Sequence, residues 1–222
     1  MEQILFDFFE SAANANPNPK VLVSPHKLDR WELCVDKPVV IVDYDLRWPT
    51  LYEEEKGLIC KTLGHRIRAI EHIGSTAVPN LGGKNIIDIM AGVDNIDEAD
   101  ECLLLLGSAG YGDVSKVPPP DDAEWFYCLG KSLHIVGCHL HLVKYNSEHW
   151  KKHIIFRDFL RKNPETAHAY FNLKKRLAAK YETDRLRYTE AKTTFIESII
   201  ENTKHSCLGV DSYRINYILR PI

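Results

Sequence analysis

Ala69-Ile-Glu-His-Ile-Gly-Ser-Thr-Ala-Val-Pro-Asn-Leu-Gly-Gly-Lys-Asn-Ile-Ile-Asp-Ile-Met-Ala-Gly-Val93 is the stretch on which the fold turns. An apolar strand ending at Ile73 runs into a Gly-Ser-Thr turn. A glycine-rich crossing follows, then a second apolar strand carrying one carboxylate, Asp88. Small residues leaving a strand expose backbone N–H groups and hydroxyls to an anion. A nearby strand carboxylate can hold a divalent metal against that anion. The layout predicts a phosphate–metal site.

Outward from this stretch the chain alternates strands and helices. Val39-Val-Ile-Val42 is β-branched and predicts a strand. Pro49 suits the first turn of a helix, and Leu51, Glu55, Leu58, Ile59 and Leu63 repeat near 3.6 up to a C-capping Gly64. Asp97 is the expected N-cap of a helix through Leu106 that Gly107 closes. Gly110-Tyr-Gly112 and the proline triplet 118–120 predict a long surface loop. Two strands, 125–129 and 134–144, flank Gly130-Lys131-Ser132 as a hairpin. Ser147 caps a helix to about Lys162, and Asn163-Pro164 starts another. Thr189 starts the last helix, which buries Phe195, Ile196, Ile199 and Ile200. The pattern predicts an α/β (α+β) domain: a mixed sheet flanked by helices, with the C-terminal helices packed on it.

Residues 3–13 carry an apolar helical stripe that the run Asn14-Ala-Asn-Pro-Asn-Pro19 ends. Residues 1–36 are therefore expected to be a helix-and-linker appendage, 37–204 the main domain and 205–222 a tail. With 222 residues, 45% hydrophobic and 27% charged, the composition is that of a soluble globular chain. A formal net charge of −3 gives no global attraction to nucleic acid. The six cysteines are scattered without a C-x-x-C pair. That spacing argues against a zinc ribbon or a disulfide framework, and for free thiols in a reducing cytoplasm. The N-terminus lacks a signal-peptide pattern, and no apolar run approaches the roughly 20 residues that span a bilayer.

Several residues could carry chemistry. Gly74, Ser75 and Thr76 could cradle a phosphate, with Lys84 as a point charge; the plainer alternative is a hydroxyl-capped turn. Asp88 lies between aliphatic residues, where a charge is costly unless paired or metal-bound. A buried salt bridge to a C-terminal arginine is the structural alternative. Glu71 and His72 point to opposite faces of their strand, so only one can reach a shared cleft. His139 and His141 share a face and could ligate a metal or act as acid and base. Arg157 and Arg161, at i and i+4, and Lys192 could clamp phosphates or an RNA backbone; a solvated charged face is the alternative.

The chain resembles the GrpB family, whose fold is nucleotidyltransferase-like. The resemblance rests on His72-Ile-Gly-Ser-Thr-Ala-Val-Pro79, Ile86-Ile-Asp88, His139-Leu-His141, Phe156-Arg-Asp-Phe-Leu-Arg161 and the Tyr188-Thr pair with Lys192, and covers residues 37–204. Two positions depart from the family pattern: Asn80 replaces a glycine and Asn85 a proline. The resemblance implies a phosphoryl- or nucleotidyl-transferring enzyme with Mg²⁺ at Asp88. Active nucleotidyltransferases carry two carboxylates one residue apart, but Ile86 and Met90 stand at that spacing here. On this reading Gly74, Ser75, Thr76, Lys84, Arg157, Arg161 and Lys192 bind phosphate, while Asp88, Glu71, His139 and His141 are the catalytic candidates. The expected partner is a nucleotide or another phosphate-bearing small molecule, with no membrane. Two further readings stand beside it. One is tRNA-dependent acyl transfer of the cyclodipeptide-forming kind, with Glu71, His139 and His141 lining a metal-free cleft. The other is a non-catalytic binding module on a decayed site.

Overall fold

The structure, a computed structural model, describes residues 38–116, 125–134 and 136–207. The expected helix 3–13, its linker, the proline triplet and the tail beyond 207 lie outside the described residues. Helix α1 (Trp48–Leu63) carries a proline in its first turn and ends at Gly64, whose N–H bonds back to the Cys60 carbonyl. It buries Trp48, Tyr52, Glu55, Ile59 and Leu63. Leu58, expected on that face, is exposed. Strand β1 (Ala69–Ile73) leads through a single 3-10 turn at Ser75–Ala77 to β2 (Ile86–Val93).

The order of the five-stranded mixed sheet is β1-β2-β5-β4-β3, with β3 (Gly112–Lys116), β4 (Trp125–Leu133) and β5 (Val136–Lys144). Strand β2 pairs antiparallel with β1 and parallel with β5. The parallel pair requires a crossover, which α2 (Ile96–Ser108), β3 and β4 supply. Three helices follow: α3 (Glu148–Lys162), α4 (Pro164–Tyr181) and α5 (Arg185–Cys207).

The two faces of the sheet hold different cores. Ile87, Ile89, Ala91, Leu140 and Leu142 pack under α1 and α2 with Trp48, Ile59 and Leu106. On the other face Ile73, Met90 and Val143 meet Trp150 of α3. The C-terminal helices share a third cluster, Val78, Leu81, Leu160, Ala167, Tyr170 and Ile199, which seats them on the crossing between β1 and β2. Phe156 meets Tyr170 edge-on at 5.3 Å, and Tyr170 stacks on Phe195 at 5.2 Å, linking α3, α4 and α5.

Several boundaries differ from expectation for identifiable reasons. The predicted strand at 39–42 makes only a two-bond bridge between Val42 and Gly83. The cap of α2 is Asn95, whose side chain accepts from Glu98 N at 3.0 Å, so Gly107 falls inside the helix. The expected loop at Gly112 is strand β3, held by β4. The segment Gly130–Ser132 continues β4, and the hairpin turns instead after Leu133, where His134 takes φ 57°. Ser147 caps α3 by accepting from Trp150 N at 3.1 Å. Asn163 turns its amide back to the Phe159 carbonyl instead of capping α4. Asp184 accepts from Arg187 N at 3.0 Å, which starts α5 at Arg185, four residues before Thr189.

Gly82 is where the crossing meets α4. A Cβ there would overlap the Val42 carbonyl oxygen and the Phe171 ring. Gly82→Ala should therefore destabilise the fold by about 1–3 kcal/mol or more. The measurement is the urea-unfolding midpoint; an unchanged midpoint would show that the crossing is not clamped there.

Candidate functional site

Strand alternation decides which residues share a face. Ile73 pairs with Asp88 and Glu71 with Met90, so Glu71 lies on the face of Asp88. His72, opposite Ile89, lies on the other. There it is buried, stacks on Tyr52 with centroids 4.4 Å apart, and has its Nε2 3.0 Å from Thr76 Oγ1. Burial pushes its pKa down to about 4. Thr76 is itself buried, so its hydroxyl is engaged inside the fold rather than offered to a ligand.

Asp88 faces β5. His139 is its register partner and His141 that of Met90, so both imidazoles lie on its face. The Asp88 carboxylate oxygen Oδ1 stands 3.5 Å from His139 Nδ1 and 3.6 Å from His141 Nε2. Burial would raise the Asp88 pKa, but the two imidazoles outweigh it and hold the carboxyl far below the usual range. His141 behaves conversely. Burial would lower its pKa, yet Asp88 and Cys128 raise it to about 10. His149 and His153 of α3 lie near this group, with ring centroids 4.5 Å apart. Burial holds both below the ordinary histidine value, His149 to about 3. The alternative of a C-terminal arginine paired with Asp88 is absent among the described ion pairs; its neighbours there are histidines.

Gly74 brings the turn against this carboxylate. Its φ is 71°, and a Cβ would stand 2.6 Å from Asp88 Oδ2. Only glycine combines that backbone with that approach. Asn80, at φ 63°, takes the left-handed conformation that asparagine tolerates better than most residues.

The turn is also where the lysines meet. Lys174 of α4 is 2% exposed. Its ammonium donates to Ser75 Oγ at 2.7 Å and to the Gly82 carbonyl, and it lies 4.8 Å above the Tyr170 ring. Burial first, then Lys192 and Lys84, push its pKa down to about 7 against the pull of Asp88. Lys192 of α5, 4.4 Å over the Tyr188 ring, is lowered to about 8 by burial and Lys84. Among the described residues no carboxylate lies within salt-bridge distance of Lys84, Lys174 or Lys192.

The arginines are placed differently. Arg157 is buried and spends its guanidinium on Glu71 (2.6 Å), the His72 carbonyl (3.0 Å) and Asp158 (2.8 Å). It is a tie between α3 and β1, and Glu71 is its counterion. Arg161 donates to the Ala77 carbonyl at 2.9 Å and keeps part of its side chain in solvent. The structure thus groups Gly74, Ser75, Lys84, Asp88, His139, His141 and Lys192, and sets Glu71, Thr76 and Arg157 in structural contacts. It adds Lys174, whose charge reads from sequence as part of a solvated helix face, and Cys128, which reads only as a free thiol. Lys174 follows Ala167 and Tyr170 at i+7 and i+4 on one buried stripe, a signal that was there to be read.

The sequence profile of the GrpB protein family matches residues 38–202. The chain is 35% identical over 164 residues to the glutamate-rich protein GrpB of Alkalihalophilus pseudofirmus, covering 73% of this chain and 94% of that one. It is 31% identical to the UPF0157 protein YqkA of Bacillus subtilis, over 80% of this chain and 50% of the relative. A crystal structure of the conserved protein GrpB from Enterococcus faecalis superposes with a TM-score of 0.62 at 30% identity, covering 73% of this chain and 95% of that one.

A buried neutral histidine makes stability depend on pH. The unfolded chain takes up the His72 proton near its ordinary value of 6.5, the folded chain only near 4. This contribution is therefore present above about pH 6.5 and is lost as pH falls toward 4, at up to about 1.4 kcal/mol per pH unit. His72→Asn should lose less stability than the parent between pH 7 and 4.5, measured by urea-unfolding midpoints. Equal losses in both proteins would show that His72 is not buried neutral.

Proposed function

The chain belongs to the GrpB family, and from that premise we propose that it binds a phosphate-bearing ligand of the nucleotide type between the Gly74–Ser75 turn and helices α4 and α5. The observation that carries this reading is the lysine cluster. A buried ammonium, Lys174, beside the half-buried Lys84 and Lys192, with no carboxylate partner for any of the three among the described residues, is electrostatically incomplete. A phosphate dianion or polyphosphate supplies the missing charge. It would accept charge-assisted hydrogen bonds from Lys84, Lys174 and Lys192, with Ser75 Oγ beside it.

Within this reading Asp88 remains ionised and holds the two imidazoles of β5, while Arg161 lies at the rim. The Arg157–Glu71 pair ties α3 to β1. Phosphoryl transfer between two metal ions requires two carboxylates, and the positions flanking Asp88 at the required spacing are Ile86 and Met90. Among the described residues Asp88 is the sole carboxylate placed against the Gly74 turn, and the donors facing it are imidazole nitrogens. That donor set does not fit Mg²⁺, which takes an oxygen shell. The chain's own lysines, and not magnesium, bind the ligand.

Because an anion favours the charged ammonium, binding should raise the pKa values of Lys174 and Lys192 from about 7 and about 8. Proton uptake should then accompany binding near pH 8. Calorimetry of ATP and of tripolyphosphate in two buffers of different ionisation heat, with chelator present, tests this. The expected result is binding with proton uptake, weakened about tenfold or more in Lys174→Met, a loss near 1.4 kcal/mol. Lys175→Met should change little, since that exposed side chain pairs with Asp43 at 3.6 Å. No binding, or equal loss in both variants, would overturn the reading; ATP binding more tightly than tripolyphosphate would support a nucleotide.

A further inference from the structure

Cys128, expected from sequence only to be a free thiol, is the register partner of His141 across β4 and β5, and His139 lies two residues before His141. One donor atom from each of these three residues lies within 4.8 Å of the others. Their strands are adjacent in the sheet, so the backbone positions are fixed by ladder hydrogen bonds rather than by a loop. None of the three is fully buried: 39% of the His139 side chain and 15% of the His141 side chain face solvent. An ion could therefore reach them.

We propose that Cys128, His139 and His141 form a binding site for a borderline transition-metal ion of the zinc(II) class, on the helix-covered face of the sheet beside Asp88. The choice of metal follows from the donors. A thiolate and two imidazoles suit Zn²⁺ or Co²⁺ and not Mg²⁺ or Ca²⁺, which take oxygen. Tetrahedral zinc, with bonds of about 2.0–2.3 Å, sets its donors roughly 3.3–3.7 Å apart. The three side chains would close by about an ångström, which rotation about χ1 and χ2 supplies.

Asp88 completes the arrangement. A carboxylate that engages one nitrogen of an imidazole fixes its tautomer and turns the other nitrogen toward a metal. Asp88 Oδ1 stands at 3.5 and 3.6 Å from one nitrogen of each ring. Gly74 keeps the carboxylate in place, because nothing larger fits against it. Three protein ligands leave a fourth position for water or a ligand oxygen, the pattern of an open rather than a purely structural zinc site. That position would lie on the same sheet face as the Ser75 turn, but the metal proposal stands without the phosphate reading.

Cobalt(II) reports such a site directly. The full chain, reduced and stripped with chelator, is titrated with Co²⁺ and followed by absorption. The expected result is one equivalent bound, with visible bands of a tetrahedral ion and a near-ultraviolet sulfur-to-cobalt band, all discharged by Zn²⁺ and untouched by excess Mg²⁺. Cys128→Ser should abolish the sulfur band, His141→Gln should weaken binding about tenfold or more, and Cys60→Ser should change nothing. Circular dichroism confirms that each variant is folded. If His141→Gln fails to fold, His139→Gln replaces it, its side chain being the more exposed of the two. Absence of the bands, a sulfur band that survives Cys128→Ser, or alkylation of Cys128 at one rate with and without Zn²⁺ would overturn the proposal. The phosphate reading is tested without metal, so either can fail alone.

Discussion

A lysine ammonium held out of water at the junction of two structural units is the constraint on which the rest depends. Lys174 binds Ser75 on the β1–β2 crossing and the Gly82 carbonyl farther along it. One side chain of α4 thereby fixes the crossing at two points against the C-terminal helices. The aromatic rings of Tyr170 and Phe171 lie under its charge, a partial substitute for water. Burying a cation is unfavourable unless it is paired. The downward shift of Lys174 and Lys192 expresses that cost, and an anion in the cleft would remove it. A site that is costly without its ligand gains binding energy when the ligand arrives.

The sheet separates two kinds of chemistry by alternation. On the α1 side Glu55 binds Tyr111 and Lys131, His72 binds Thr76, and Trp48 donates to Asn85 at 2.9 Å. These are satisfied internal contacts that hold α1 to the sheet and the crossing to β2. On the other face Asp88, His139, His141 and Cys128 lie together, partly exposed. A one-residue slip of β5 would exchange Cys138, Leu140 and Leu142 for the histidines in the core. The apolar core on one face is therefore what keeps the imidazoles on the other.

Much of this was legible in the sequence. The strand–turn–strand unit, the isolated carboxylate of Asp88, the two histidines on one face and the cap at Ser147 follow from alternation, turn chemistry and the cost of a buried charge. The expectation of free thiols holds for Cys60, Cys102, Cys128 and Cys138. Among the described residues no helix is long and apolar enough to cross a membrane. What local pattern could not supply was pairing. Strand β3 reads as a loop because Gly110 and Gly112 flank Tyr111, and only β4 orders it. Gly130-Lys131-Ser132 reads as a turn, but Lys131 is drawn to Glu55 at 2.7 Å and the strand continues. Arg157 and Arg161 look alike on a helical wheel and share Asp158, yet only the first is buried and also paired with Glu71. Cys128 gains significance only when β4 is in register with His141.

A crystal structure of the protein soaked with pyrophosphate in chelated buffer shows whether the buried lysine holds an anion. A phosphoryl oxygen is expected within about 3.2 Å of Nζ of both Lys174 and Lys192, beside Ser75 Oγ. A phosphate seated only on surface lysines, or an empty turn at saturating pyrophosphate, would contradict it.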